Sequence, residues 1–162
     1  VAARSGIQQE LRQAKPFSTP YEEAGVALLR TVDELQRRLA ATLEAREITL
    51  QQYNVLRILR GAHPQAVPTL EIATRMIEKA PGITRLLDRL EAKKLIHRVR
   101  CREDRRRVLC TITAPGLSLL SQLDGPMLET MTRCFASLPA GRTRQLTRLL
   151  DDLRAGLRRI PN

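Results

Sequence analysis

Aromatic rings are almost missing from this chain. Phe17, Tyr21, Tyr53 and Phe135 are the full set in 162 residues, and there is no tryptophan. That scarcity speaks against a surface that captures single-stranded nucleic acid or RNA by stacking bases on exposed rings. It also means that the core has to be assembled from Leu, Ile, Val and Ala. Cysteine is equally sparse: three residues, an odd count at irregular spacing, supply neither a disulfide framework nor a zinc pattern. No apolar run approaches the roughly 18 residues of a membrane span, and the N-terminus is too polar for a signal peptide. The expected setting is the reducing cytoplasm, with no membrane contact. The two histidines, His63 beside a proline and His97, have no cysteine or paired carboxylate at ligand spacing, and no glycine-rich phosphate loop follows a strand. The expectation is a protein that is not an enzyme and carries no metal and no cofactor.

Acidic residues are the last shortage. Asp and Glu number 17 against 28 Lys and Arg, which leaves a net charge of +11 and a pI near 10.9. With 43% apolar residues the chain is globular rather than a disordered basic tail. Such a charge by itself points to a nucleic acid or an anionic membrane surface, and with no membrane expected the nucleic acid is the partner.

The pattern along the chain is mainly helical. Residues 1–20 read as an N-terminal arm with a short helix around Ile7 and Leu11 that ends near Lys15-Pro16. Between Tyr21 and about Arg46, Leu28, Val32, Leu35, Leu39 and Leu43 form one stripe of a long helix. "TLQQ" at 49–52 has the form of a capping box and opens a second helix that continues to about Arg60, with Gly61 ending it. "HPQAVP" is a connector with room for a short strand at Ala66–Val67, after which Thr69 caps a two-turn helix, Leu70–Met76. Pro81 sits near the start of the next helix, which turns Ile83, Leu86, Leu87 and Leu90 inward and ends at about Lys94. Strands near Ile96–Cys101 and Arg107–Thr113 form a hairpin. A long helix follows Thr113, with a kink expected at Gly125-Pro126. The last helix, from about Pro139 to Arg159, carries Leu146, Leu150, Leu153 and Leu157.

This order is that of a mainly α protein: a winged helix-turn-helix with a two-stranded β wing, flanked by long N- and C-terminal helices. The boundaries are 1–20 for the arm, 21–48 for a dimerisation helix, 49–113 for the winged helix-turn-helix and 114–162 for C-terminal dimerisation helices. Nothing in the middle is large enough to cover the apolar stripes at the two ends, so a second copy of the chain is expected to do so.

The chemistry lies in the middle. In "PGITRLLDRLEAKK" the apolar residues take one face, which leaves Thr84, Arg85, Asp88 and Arg89 on or beside the other. A helix fits the major groove of B-DNA, and its first turns usually reach the base edges. Gly82 would admit a close phosphate, and Arg85 has the length and fork for a guanine edge or a phosphate. The hairpin packs six arginines into residues 98–107. Like charges on adjacent strands repel, so the segment accepts a folding cost. Asp104 offsets part of it by steadying Arg106 or a neighbouring arginine, and the tip becomes a basic finger suited to a narrow minor groove.

The segment "TRLLDRLEAKKLIHRVRCREDRRRVLCTIT" followed by "APG" resembles the signature of the multiple antibiotic resistance regulator (MarR) family of bacterial transcription factors. "TLQQYNVLRIL" is similar to the helix that precedes that family's DNA-reading unit, and the resemblance spans about residues 21–160. It implies an obligate homodimer in which the terminal helices interlock, and a pseudo-palindromic double-stranded DNA operator. It also implies a small aromatic or phenolic effector. Thr84 and Arg85 match the positions that enter the major groove, Arg106 the wing arginine and Asp104 its orienting acid. With these, Thr69, Gly82, Arg89, Arg105 and Arg107 complete the expected DNA-binding set. One departure is Lys94, where many family members have glycine.

Two readings of the cysteines stay open. If the hairpin turn centres between Arg105 and Arg106, Cys101 and Cys110 face each other at a separation within disulfide range, flanked by arginines that favour the thiolate. Alternatively both are small apolar strand residues that pack inward. Cys134, on a helical stripe, reads as core. The function expected is a dimeric, sequence-specific transcriptional regulator, in the repressor sense, that responds to a small molecule or a redox signal. The alternative is a non-specific architectural DNA-binding or adaptor protein built on the same winged helix.

Overall fold

A computed structural model of the chain describes residues 6–78, 82–101, 103–104 and 106–161. The elements are α1 (Gly6–Glu10), α2 (Pro20–Glu44), α3 (Leu50–Ala62), β1 (Val67–Pro68), α4 (Thr69–Arg75), α5 (Ile83–Ala92), β2 (Ile96–Arg100), β3 (Val108–Ile112), α6 (Ala114–Cys134) and α7 (Ala140–Leu157). This is a winged helix-turn-helix between long terminal helices.

Helix starts follow local chemistry. The Thr19 hydroxyl accepts the Glu22 N–H at 3.1 Å, Pro20 takes the first turn, and Glu22 and Glu23 meet the positive end of the α2 dipole. The Thr49–Gln52 capping box forms as expected, with reciprocal bonds of 3.2 and 3.0 Å. Gly61 does not end α3, which runs on to Ala62 and stops at His63-Pro64, where proline has no N–H to offer. Thr69 does not cap α4 either. It is that helix's first residue, and its hydroxyl donates to the Val108 carbonyl at 3.2 Å, tying α4 to the wing.

The sheet has three strands in the order β1–β3–β2, all antiparallel. The short strand β1 pairs Val67 with Cys110 and Pro68 with Leu109, so the expected two-stranded hairpin gains an edge strand, a place where proline is tolerated. The β2–β3 register aligns Arg98 with Cys110 and Arg100 with Val108, so the turn centres on Asp104. Cys101 therefore lies opposite Arg107, to whose carbonyl its N–H donates at 2.9 Å, and does not face Cys110. Cys110 is fully buried, and burial pushes its thiol above the usual range. The register removes the cross-strand disulfide, and the packing reading holds for Cys110. Cys134 is a further correction, since it is exposed at the end of α6.

One core sits inside the winged helix and beneath the middle of α6. Leu43, Val55, Leu56, Leu59, Ile72, Leu87, Leu90, Cys110 and Leu120 are its fully covered side chains. An ion pair ties the rim of this core to α6: Arg60 on α3 forks onto both oxygens of Asp124, at 2.8 and 2.9 Å, and holds that carboxyl below its usual range. The α6 helix passes Gly125-Pro126 as a single element. By contrast, α7 buries none of its residues, and the α2 stripe is fully covered only at Leu43, with Val32 exposed. The arm folds back on α2, where Glu10 pairs with Arg30 at 2.7 Å.

The junction of α5, β2 and α6 is tight. Thr113 caps α6 by accepting the Gly116 N–H at 3.2 Å, donates its hydroxyl to the Lys94 carbonyl at 2.7 Å, and donates its own N–H to the Leu95 carbonyl at 3.1 Å. A Cβ on Gly116 would stand 2.3 Å from that Leu95 oxygen and 2.8 Å from Ile112 Cγ1. Gly116→Ala is therefore expected to lower unfolding stability by about 1–3 kcal/mol, read from urea midpoints at constant slope. Lys94, just past the α5 C-cap, has φ 58°, a left-handed conformation that suits glycine. Lys94→Gly should raise stability by about 0.5–1 kcal/mol in the same titration.

Candidate nucleic-acid interface

The α5 helix divides cleanly. Leu86, Leu87 and Leu90 are buried, Ile83 is half-buried, and Thr84, Arg85, Asp88 and Arg89 are exposed on the opposite side. Gly82 precedes the helix with φ 96° and ψ 33°, and among the described residues nothing lies within 4 Å of where its Cβ would be. The backbone conformation, not lack of space, is what requires glycine there. The connection into α5 is tethered from behind. Asn54 Oδ1 on α3 accepts the Ile77 N–H at 3.0 Å, and Glu78 accepts the side-chain amides of Gln51, at 3.2 Å, and Gln36. These amides belong to α2 and α3, so the loop is anchored to both. Nothing in the local pattern of the sequence announces such long-range ties.

The wing turn is organised by Asp104. Its Oδ1 accepts the Arg106 N–H at 3.0 Å and its carbonyl accepts the Arg107 N–H at 2.9 Å, a side-chain-closed turn. The acid thus steadies Arg106 through the backbone, while the Arg106 and Arg107 side chains are exposed. Arg105 lies outside the described residues. Arg98, on β2, behaves differently from Arg106 and Arg107: it turns back onto α5 and pairs with Asp88 and Glu91. Its guanidinium holds the Glu91 carboxyl below the usual range. The sequence reading missed this cluster, although two acids three residues apart on an otherwise basic helix are a signal that an internal cation answers them.

A cleft of about 970 Å³ opens between α4, α5 and the wing, and Thr69, Thr84, Arg98, Arg106 and Arg107 line it together. Gly82, Arg85 and Arg89 share a smaller hollow of about 410 Å³ with Gln51. The fold therefore places Thr69, Thr84, Arg106 and Arg107 in one concavity and Gly82, Arg85 and Arg89 in another, each with α5 as a wall. Thr69 reaches the first one with its hydroxyl already engaged by the wing. Residues 49–113 carry 14 Lys and Arg against 6 Asp and Glu, so most of the chain's net charge of +11 is concentrated here. Among the described residues, no group of three His, Cys, Asp or Glu side chains could hold a metal ion, and no helix is long and apolar enough to cross a membrane.

Known proteins share this architecture. The sequence profile of the MarR family matches residues 48–108, from the end of the α2–α3 loop to the start of β3. A crystal structure of a MarR transcription factor from Planctomyces limnophilus is 38% identical, superposes with a TM-score of 0.67, and covers 83% of this chain and 98% of its own. The homoprotocatechuate degradative operon repressor of Escherichia coli is 24% identical over 82% of this chain and 88% of its own. The HTH-type transcriptional regulator FarR of Neisseria gonorrhoeae is 27% identical over 90% and 95%. With a MarR transcription factor 38% identical over 83% of this chain, the chain belongs to the MarR family of transcriptional regulators and is not an enzyme.

Proposed function

We propose that the chain is a homodimeric repressor, acting in the bacterial cytoplasm, that reads a pseudo-palindromic operator in double-stranded DNA. One observation carries the proposal: the exposed polar side of α5 and the arginine-bearing wing tip flank a single cleft, with Thr84 on one wall and Arg106 and Arg107 on the other. In this reading α5 enters the major groove, with Thr84 and Arg85 toward the bases and Arg89 toward a phosphate. The wing tip, Arg105 to Arg107, lies along the neighbouring minor groove, and Thr69 and Gly82 border the backbone. Asp104 keeps the tip in one conformation before the partner arrives, which reduces the ordering cost of binding.

Dimerisation is supported by apolar surface that this chain leaves uncovered. Leu29 on α2, Leu128 on α6, and Leu149, Leu153 and Leu157 on α7 are all between 46% and 73% exposed. At roughly 1.5–3 kcal/mol for each such side chain once buried, a symmetric partner would gain a large association energy. The effector of this reading is a small aromatic or phenolic molecule. The name of the Escherichia coli relative, which places it over an operon that degrades homoprotocatechuate, supports this class.

The test is equilibrium binding to the promoter of its own gene and to a scrambled duplex at two salt concentrations. A regulator should prefer the true site by about 10³ or more, and log K should fall with log salt at a slope near −0.9 per phosphate contacted. Salt-dependent binding with no preference would instead favour the architectural role. Arg106→Ala should weaken binding to every duplex. Arg85→Ala should cost about 1–3 kcal/mol at the operator and relax base preference, and equal losses on operator and random DNA would refute it as a reader. Both side chains are exposed, so urea midpoints should not move. Sedimentation equilibrium should return a dimer at micromolar concentration, and a stable monomer there would remove the pseudo-palindrome from the proposal.

A further inference from the structure

The arginine-rich hairpin does not turn all its charge outward. The Arg98 side chain is only 20% exposed, and it is engaged through Nε and Nη2. Nε and Nη2 donate to Glu91 Oε2 at 2.9 and 2.7 Å, and Nη2 also donates to Asp88 Oδ1 at 2.6 Å. The Arg98 backbone N–H adds a bond to Glu91 Oε1 at 3.1 Å. Both acids belong to α5 and Arg98 to the middle of β2, so four hydrogen bonds join the wing's first strand to the second half of the helix. On the sheet, Arg98 pairs with the fully buried Cys110, which fixes its strand position from the other side.

This arrangement constrains both geometry and charge. Only residues 93–95 separate α5 from β2, and Lys94 among them is left-handed, so a short link sets the angle between helix and wing. A planar guanidinium that bonds two carboxylates holds that angle in a way a single ammonium cannot. Asp88 lies four residues after Thr84 and three after Arg85, on the same exposed side of α5. Left uncompensated, its charge and that of Glu91 would oppose an approaching phosphate.

We infer that Arg98 is a positioning residue for duplex binding, which touches no nucleic acid and acts through Glu91 and Asp88 by fixing the wing against α5 and neutralising the two acids. The inference rests on the reading of α5 and the wing as the DNA-binding surface. The opposing pKa directions agree with it, since Glu91 is held below and Arg98 above its ordinary value, and both stay charged at neutral pH.

The sign of one substitution separates this from simple electrostatics. Removing an acid from a surface that faces DNA ordinarily strengthens binding, whereas removing one jaw of a clamp weakens it. Operator affinity is measured for the full chain, with circular dichroism of the same samples reporting that each is folded at the assay temperature. Glu91→Gln and Arg98→Gln should each bind about tenfold more weakly, and the double variant should be no weaker than the poorer single one, because both break the same clamp. Arg98→Lys, which keeps the charge but not the fork, should not recover the loss. The salt slope of Arg98→Gln should equal that of the unmodified protein, since loss of a phosphate contact would make it shallower by about 0.9. Tighter binding by Glu91→Gln, additive losses in the double variant, or a shallower slope for Arg98→Gln would each overturn the inference. If Arg98→Gln is unfolded, Glu91→Gln, which preserves size and hydrogen-bonding capacity, decides by its sign alone. If the unmodified protein binds no duplex, it is the DNA-binding reading that falls, and the clamp with it.

Discussion

Burial of Leu87 and Leu90 is the constraint on which the remaining architecture depends. Both are essentially inaccessible, in one core with Leu56 and Leu59 of α3, Ile72 of α4 and Cys110 of β3. With the apolar side of α5 fixed in this way, its helical period leaves Thr84, Arg85, Asp88 and Arg89 no direction but outward. The same core holds β3, and through it β2, so the wing's position relative to that polar side follows from hydrophobic packing before any charge is considered. Rotation of α5 by one residue would bury charge, Arg85 and Arg89 in one direction or Asp88 and Glu91 in the other, at a cost that an apolar core does not repay.

Charge is arranged on this frame in two different ways. At the wing tip the Arg106 and Arg107 side chains are exposed, and Asp104 accepts their backbone N–H groups with its Oδ1 and its carbonyl, so it shapes the turn without pairing with those side chains. At the base of the wing the reverse holds, because Arg98 is occupied by Asp88 and Glu91 and contributes rigidity in place of free charge. A hairpin with six like charges in ten residues would otherwise repel itself. Spending one of them on the helix relieves part of that repulsion and joins the two parts of the site. The Gly116 approach to Leu95 and the triple engagement of Thr113 complete the joint from the side of α6.

The terminal helices obey a different logic. Their leucine stripes are regular in the sequence, but while α6 and the end of α2 reach the core, α7 buries none of its residues, and Leu153 and Leu157 of its stripe are exposed. Their connection to the site is nevertheless direct. Arg60–Asp124 ties α3 to α6, and Gln36 of α2 reaches Glu78 in the loop ahead of α5. The loop ahead of the helix that faces the cleft is thus tied directly to α2.

Much of this was legible from local pattern alone. The 3.6-residue spacing of leucines and the Thr49–Gln52 capping box each encode an element within a few residues of chain, so the helical order and the division of α5 into two sides could be read directly. Non-local pairing was not legible. The placement of the turn on Asp104, which separated Cys101 from Cys110, depends on hydrogen bonds between strands. The use of Thr69 to bond Val108, the β1 edge strand and the Arg98–Asp88–Glu91 cluster likewise join residues 7 to 43 positions apart. Sequence by itself determined which residues are apolar, charged or cap-forming, because those are properties of single side chains and their near neighbours. Only the tertiary structure decided which arginines remain free and which are neutralised, because that depends on the register and packing that bring distant carboxylates within 3 Å.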